Sequence, residues 1–148
     1  MGEFMQNLRL GAKPSGNVIY VNFRDTGEEH PMIARLSRSE DPMEMTTAHY
    51  WKEKEYVKAA RLAQELDDKE IRNTICNEGI MRLHRHIVQV NKAAPMENPS
   101  RLMSIAVSYD ELAQLHGIKG NRGTAESYLR LSKAAWDRVL IAKLERQD

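Results

Sequence analysis

The sequence predicts a mainly α protein, a four-helix bundle or stacked helical hairpins preceded by a short N-terminal β-strand or hairpin arm. Three observations carry that reading. From Thr46 onward apolar residues recur at intervals of three and four, the period of a helix with one buried face. Capping and breaking residues interrupt this pattern at Asp67-Asp68, between Pro95 and Ser100, and at Gly117 to Gly120. Residues 5–45 carry Gly11, Pro14, Gly16, Gly27, Pro31 and Pro42 and show no helical period.

Within that arm, Asn17 to Phe23 is rich in β-branched and aromatic residues, and alternation sets Ile19, Val21 and Phe23 on one face. A lone strand leaves backbone groups unpaired. The segment is therefore expected to close a hairpin with Met32 to Leu36 across Asp25-Thr26-Gly27, or to offer Val18, Ile19, Tyr20, Val21 and Phe23 as an edge to another chain. Pairing between copies would make a homodimer through this strand. Met1 to Phe4 reads as a cloning remnant ahead of Met5. The expected division is thus 1–4, an arm over 5–45 containing strand 17–23, and a helical domain over 46–148.

The first helical segment, about Thr46 to Leu66, places Tyr56, Ala59, Ala60, Ala63 and Leu66 on one face. Asp67 and Asp68 then offer an N-cap, with Glu70 in the following first turn. The second helix reaches about Asn91 with a narrow seam of Cys76, Ile80, Leu83, Ile87 and Val90. Asn98 or Ser100 caps the third, which continues through Leu102, Ile105, Tyr109, Leu112 and His116 and stops at Gly117 and Gly120. The last, about Arg122 to Arg146, sets Ala125, Leu129, Ser132, Trp136, Val139 and Leu140 on a stripe. Leu83, Ile87, Leu112, Leu129 and Trp136 are expected to share one core.

Composition narrows the functional classes. The 148 residues are 41% apolar and 29% charged, and 22 Lys and Arg oppose 21 Asp and Glu, so the formal net charge is +1. No global field draws such a chain to nucleic acid or to an anionic membrane. Cys76 is the only cysteine, which leaves no internal disulfide or cysteine-based zinc cluster and fits a cytoplasmic location. No run approaches the length of a membrane span. The phosphate-binding, dinucleotide, metalloprotease and nucleophile-elbow signatures are lacking, and no catalytic residue or cofactor is nominated. Cys76 lies on the apolar seam as a small hydrophobe.

Charge is most lopsided on the second helix. There Arg82, His84, Arg85, His86 and Lys92 occur with no acid between Ile80 and Lys92. At 100° per residue, Arg82, Arg85, Gln89 and Lys92 share the side opposite the Ile80, Leu83 and Ile87 seam, a candidate partner-binding or phosphate-binding stripe. His84 and His86 point about 160° apart on a helix, whereas chelating pairs use spacings of three or four, so no metal site is expected.

The run from Tyr109 to Ser132 resembles a tetratricopeptide repeat. The family's large, small and turn positions fall on Tyr109, Leu112, Ala113, His116, Gly120, Ala125 and Ser132. Small residues there let the second helix nest against the first. Tyr50, Tyr56 and Ala59 resemble a weaker copy, and Ala59 precedes Ala125 by 66 residues, near two periods of ~34. Lys52 to Glu55 stands where that copy needs a glycine turn, so its two helices read as one.

Glu111-Leu112-Ala113 followed by Gly117-Ile118 also resembles the opening of a helix-turn-helix. Against this, Gly120 to Gly123 lengthens the turn beyond the usual 3 to 4 residues. The expected function is accordingly a non-enzymatic helical protein–protein interaction module, a regulator or adaptor. The alternative is a DNA-binding transcriptional regulator using that hairpin or the basic face.

Overall fold

A computed structural model of the chain describes residues 30–93 and 98–146. Its helices are α1 (Pro31–Ser37), α2 (Pro42–Lys52), α3 (Tyr56–Glu65), α4 (Lys69–Ala93), α5 (Pro99–Lys119) and α6 (Arg122–Arg146), with no strand among the described residues. The proposed edge residues Val18, Ile19, Tyr20, Val21 and Phe23 lie outside them. Their expected hairpin partner, Met32 to Leu36, is helical instead. Pro31 begins α1, and the three-residue step from Ile33 to Leu36 buries both side chains on one face. The helical body therefore begins at Pro31 rather than near residue 46.

Local chemistry sets most helix ends. Asp41 caps α2 by accepting from Met43 N at 2.9 Å, with Pro42 at the first helical position. Asp68 accepts from Ile71 N at 3.1 Å at the start of α4, and Asn98 accepts from Arg101 N at 3.1 Å at the start of α5. A cap of this kind contributes about 1 kcal/mol.

Three helices end in the same left-handed turn. Glu55 N donates to Tyr50 O at 2.8 Å, while Lys54 N reaches Trp51 O at 3.0 Å. Asp68 with Asp67 repeats the pattern onto Ala63 and Gln64, and Asn121 with Gly120 repeats it onto His116 and Gly117. These paired bonds satisfy the carbonyls that a helix end leaves open. The central residues Lys54, Asp67 and Gly120 have φ of 65°, 58° and 93°. Thus the segment expected as a single helix from Thr46 to Leu66 is a hairpin of α2 and α3. Asp67 forms the turn while Asp68 alone caps. Only at Gly120 does the sequence advertise the conformation, since a side chain in the left-handed region costs roughly 1–2 kcal/mol.

The main core lies where α1, α2 and α3 cover the first half of α4 and the end of α5. Ile33, Leu36, Trp51, Ala59, Ala60, Ala63, Ile71, Ile75, Cys76 and Leu115 are almost wholly buried there. Gly79 is the point of closest approach: a Cβ built on it would stand 2.8 Å from both Leu115 Cδ1 and Tyr56 Cβ. Beside it, Glu78 accepts from Tyr56 Oη at 2.8 Å and from Trp51 Nε1 at 3.3 Å, so one carboxylate of α4 receives donors from α2 and α3.

Helix α6 returns along α5 and makes its main contact there. Ala125, Ser132, Ala135, Val139 and Ala142 are buried, whereas Leu129, Trp136 and Leu140 are exposed. The expected stripe was thus assigned partly to the wrong flank. The small side chains face α5 and permit close packing, and among the described residues no further helix covers the adjacent large ones. The expected common core also divides. Leu112 is buried, Leu83 packs against the edge of the main core and Ile87 is half-buried, while Leu129 and Trp136 are exposed.

Candidate interaction surfaces

The outer side of α6 is the broadest apolar exposure among the described residues. Leu129, Leu131, Trp136, Leu140, Ile141 and Leu144 are between 37% and 60% exposed. At 100° per residue, Leu129, Trp136, Leu140 and Leu144 line one flank of the α5-facing stripe, Leu131 lies on the other, and Ile141 stands nearly opposite the stripe. These side chains alternate with charged residues along the helix, yet they are too many for the α5 contact alone to bury. Asp110 of α5 holds this helix in place. It accepts from Ser132 Oγ at 2.8 Å and from Trp136 Nε1 at 3.4 Å, and Ser132 Oγ also lies 3.2 Å from Ala106 O. The indole is thereby anchored at its nitrogen while its ring stays partly open to solvent. Sequence periodicity named Leu129, Trp136 and Leu140 of this set, but as part of the buried stripe, and did not single out Leu131, Ile141 or Leu144.

A second feature is an open cavity of about 620 Å³ between α3, α4 and α5. Gly79, Leu83 and Leu115 contribute to its lining, as do Tyr56, Val57 and Val107. Lys54, Lys58, Arg61, Arg82 and His86 face it together with Glu55 and Glu111. Lys58 pairs with Glu55 at 3.1 Å, and Arg61 donates to the Gln114 amide oxygen at 2.6 Å. Burial pushes the Glu111 carboxyl above its ordinary value; nearby His86 pulls it back and Asp110 pushes it further up.

The four residues of the candidate stripe do not share one environment. Arg85, Gln89 and Lys92 are exposed on α4, but Arg82 is half-buried and turned into the cavity. His84 and His86 separate as the helix geometry requires, since His86 faces the cavity while His84 Nε2 lies 3.4 Å from Tyr128 Oη of α6. Tyr128 stacks on His116 and on Tyr109, with centroids 5.4 and 6.0 Å away. Burial lowers the His116 pKa from its ordinary value, and Lys119 and His84 lower it further. Spacing along α5 placed Tyr109 and His116 on an inward face but gave no sign of their common partner on α6.

No group of three or more His, Cys, Asp or Glu among the described residues is arranged to hold a metal ion. Cys76 is buried, and desolvation pushes its thiol up to about 11 against the opposing effects of Lys119 and Arg72. A thiol so shifted is a poor source of thiolate. No helix among the described residues is long and apolar enough to cross a membrane. Comparison with known protein families, with curated proteins and with solved structures finds no match to this chain.

Proposed function

We propose that the chain is a helical protein–protein interaction module, acting as a regulator or adaptor, whose main docking face is the outer side of α6. The supporting observation is the apolar exposure of α6 beside its contact with α5. Burying a side chain of the size of Leu140 contributes on the order of 1.5–3 kcal/mol, so a few of them suffice for a specific contact. The exposed leucines and Trp136 favour a protein partner over phosphate. Along α6, Glu126, Asp137 and Glu145 interrupt the basic residues Arg122, Arg130, Lys133, Arg138, Lys143 and Arg146, so no unbroken basic run for phosphates forms there. The occupant we favour is an apolar helix or groove of another protein.

The test compares retention of cellular proteins on immobilised parent chain and on Leu140→Glu, with and without nuclease. Loss of a nuclease-resistant partner with unchanged circular dichroism supports the reading. Equal retention by both chains overturns it. The exposed row of Arg85, Gln89 and Lys92 favours a second reading, a DNA-binding regulator that contacts phosphates through α4. In that case retention is removed by nuclease and weakens steeply with added salt.

A further inference from the structure

The cavity between α3, α4 and α5 marks a step in the thickness of the protein. Tyr56, at the start of α3, meets α4 at Gly79, where the helices are too close for a Cβ. Beyond that contact α4 continues to Ala93, about 20 Å further at ~1.5 Å per residue. The early turns of α5 run alongside, with Asn91 of α4 accepting from Arg101 of α5. The track that α3 follows between α4 and α5 therefore continues past the first residue of α3 as an open groove.

Its chemistry differs from that of α6. Leu83 of α4 and Val107 of α5 lie on opposite walls, and Val107 is 43% exposed. The α2–α3 turn and α3 bring Lys54, Lys58 and Arg61 to the cavity, and α4 brings Arg82. Four permanent cations thus face two carboxylates, Glu55 and Glu111, in a chain whose net charge is only +1. An apolar strip with a cationic rim complements a helix that has apolar residues on one face and acids beside them.

We propose that this groove docks an acidic amphipathic helix of a partner protein, about four turns long, lying end to end with α3 between α4 and α5. This site is independent of the α6 face. The partner's apolar residues would rest on Leu83 and Val107, and its carboxylates would meet Lys54, Lys58 and Arg61. Burial would supply most of the affinity, with the charges selecting the sign of the partner and speeding encounter.

Fluorescence anisotropy on the full chain tests this with a labelled synthetic peptide of ~14 residues, leucines on one helical face and glutamates on its flanks. A second peptide replaces every glutamate with lysine. The acidic peptide should bind saturably and at least about tenfold more tightly than the basic one, with affinity falling as salt is added. Lys54→Glu/Lys58→Glu should weaken the acidic peptide by about tenfold or more and improve the basic one. Val107→Glu should weaken it as well, while Leu140→Glu on α6 should leave its affinity unchanged. Absence of saturable binding overturns the proposal, as does equal affinity for the two peptides or indifference to the double substitution. Loss of binding in Leu140→Glu would place the peptide on α6 and also overturn it. Retention of a partner on α6 is scored separately, so either reading can fail alone.

Discussion

The two ends of this helical body bury different kinds of side chain. Where α1 to α3 cover α4, the interior holds Trp51, Ile33, Leu36, Ile71, Ile75 and Leu115, and a carboxylate of α4 takes up the Trp51 and Tyr56 donors. Where α6 lies on α5, the buried positions are mostly Ala125, Ser132, Ala135 and Ala142, with Leu102 and Val139 as the larger members. Large apolar residues are no scarcer on α6 than on α4, yet they face outward. Burial needs layers on several sides, and among the described residues the α6 side has no further layer. The first region buries its large side chains, and the second leaves apolar surface exposed.

The largest expected difference follows directly. Trp51→Ala should cost ~3–5 kcal/mol, because the indole is fully buried and its removal leaves a cavity as well as unmet demand at Glu78. Leu140→Ala should change stability by less than about 0.5 kcal/mol. Parallel urea titrations provide the check. Similar losses for the two variants would mean that α6 is covered in solution and that the contrast is false.

Glycine substitutions sharpen the same comparison at smaller magnitude. Alanine at Gly79 gains helix propensity of about 1 kcal/mol but sets a Cβ against Tyr56 Cβ, which cannot rotate away because it is fixed to the α3 backbone. A net loss of ~1–3 kcal/mol is expected. Gly123, near the start of α6, has open space around the built Cβ, so Gly123→Ala should be neutral or stabilising by up to ~1 kcal/mol. Thermal melts of the two variants should move in opposite directions or differ clearly in size.

The smallest effect concerns pH. His116 is held below its ordinary value of 6.5, first by burial and then by Lys119 and His84, so the unfolded chain binds its proton more readily than the folded one. That contribution to stability is present above about 6.5 and is lost as pH falls through the lower folded value. Glu111 acts in the opposite sense at lower pH, because its raised carboxyl favours the folded protein when protonated. Urea midpoints of the parent and His116→Gln, measured as pH falls from 7 toward 5, should show a shallower decline for the variant. Coincident slopes would remove His116 from the account.

How much of this was legible beforehand depends on the range over which each feature is decided. The mainly helical class, the Asn98 cap, the glycine turn at Gly120 and the inward faces of Ala59, Ala63, Leu102 and Leu112 all follow from residues a few positions apart. The turn at Lys54 was hidden because it is not glycine, and tertiary packing of Trp51 and Tyr56 on α4 supports that break, whereas the interruption at Asp67-Asp68 was visible but read only as a cap. The α1 segment was misread for a related reason: Met32 to Leu36 is too short for its periodicity to separate strand from helix. As for the interaction surfaces, the basic residues of α4 were visible in the sequence. The entry of Arg82 and His86 into a cavity with Lys54, Lys58 and Arg61 was not, because those groups come from distant positions.

Helical periodicity is a property of each segment alone, so composition and spacing were enough to establish that amphipathic helices form and roughly where α4, α5 and α6 start and stop. Which flank of a helix is buried depends on how many neighbours it receives, and that number is set by the path of the whole chain. Leu129 and Leu112 are the same residue type on regularly spaced helical positions, yet one is 52% exposed and the other buried. The difference arises because α5 packs against α3, α4 and α6, whereas α6 rests chiefly on α5.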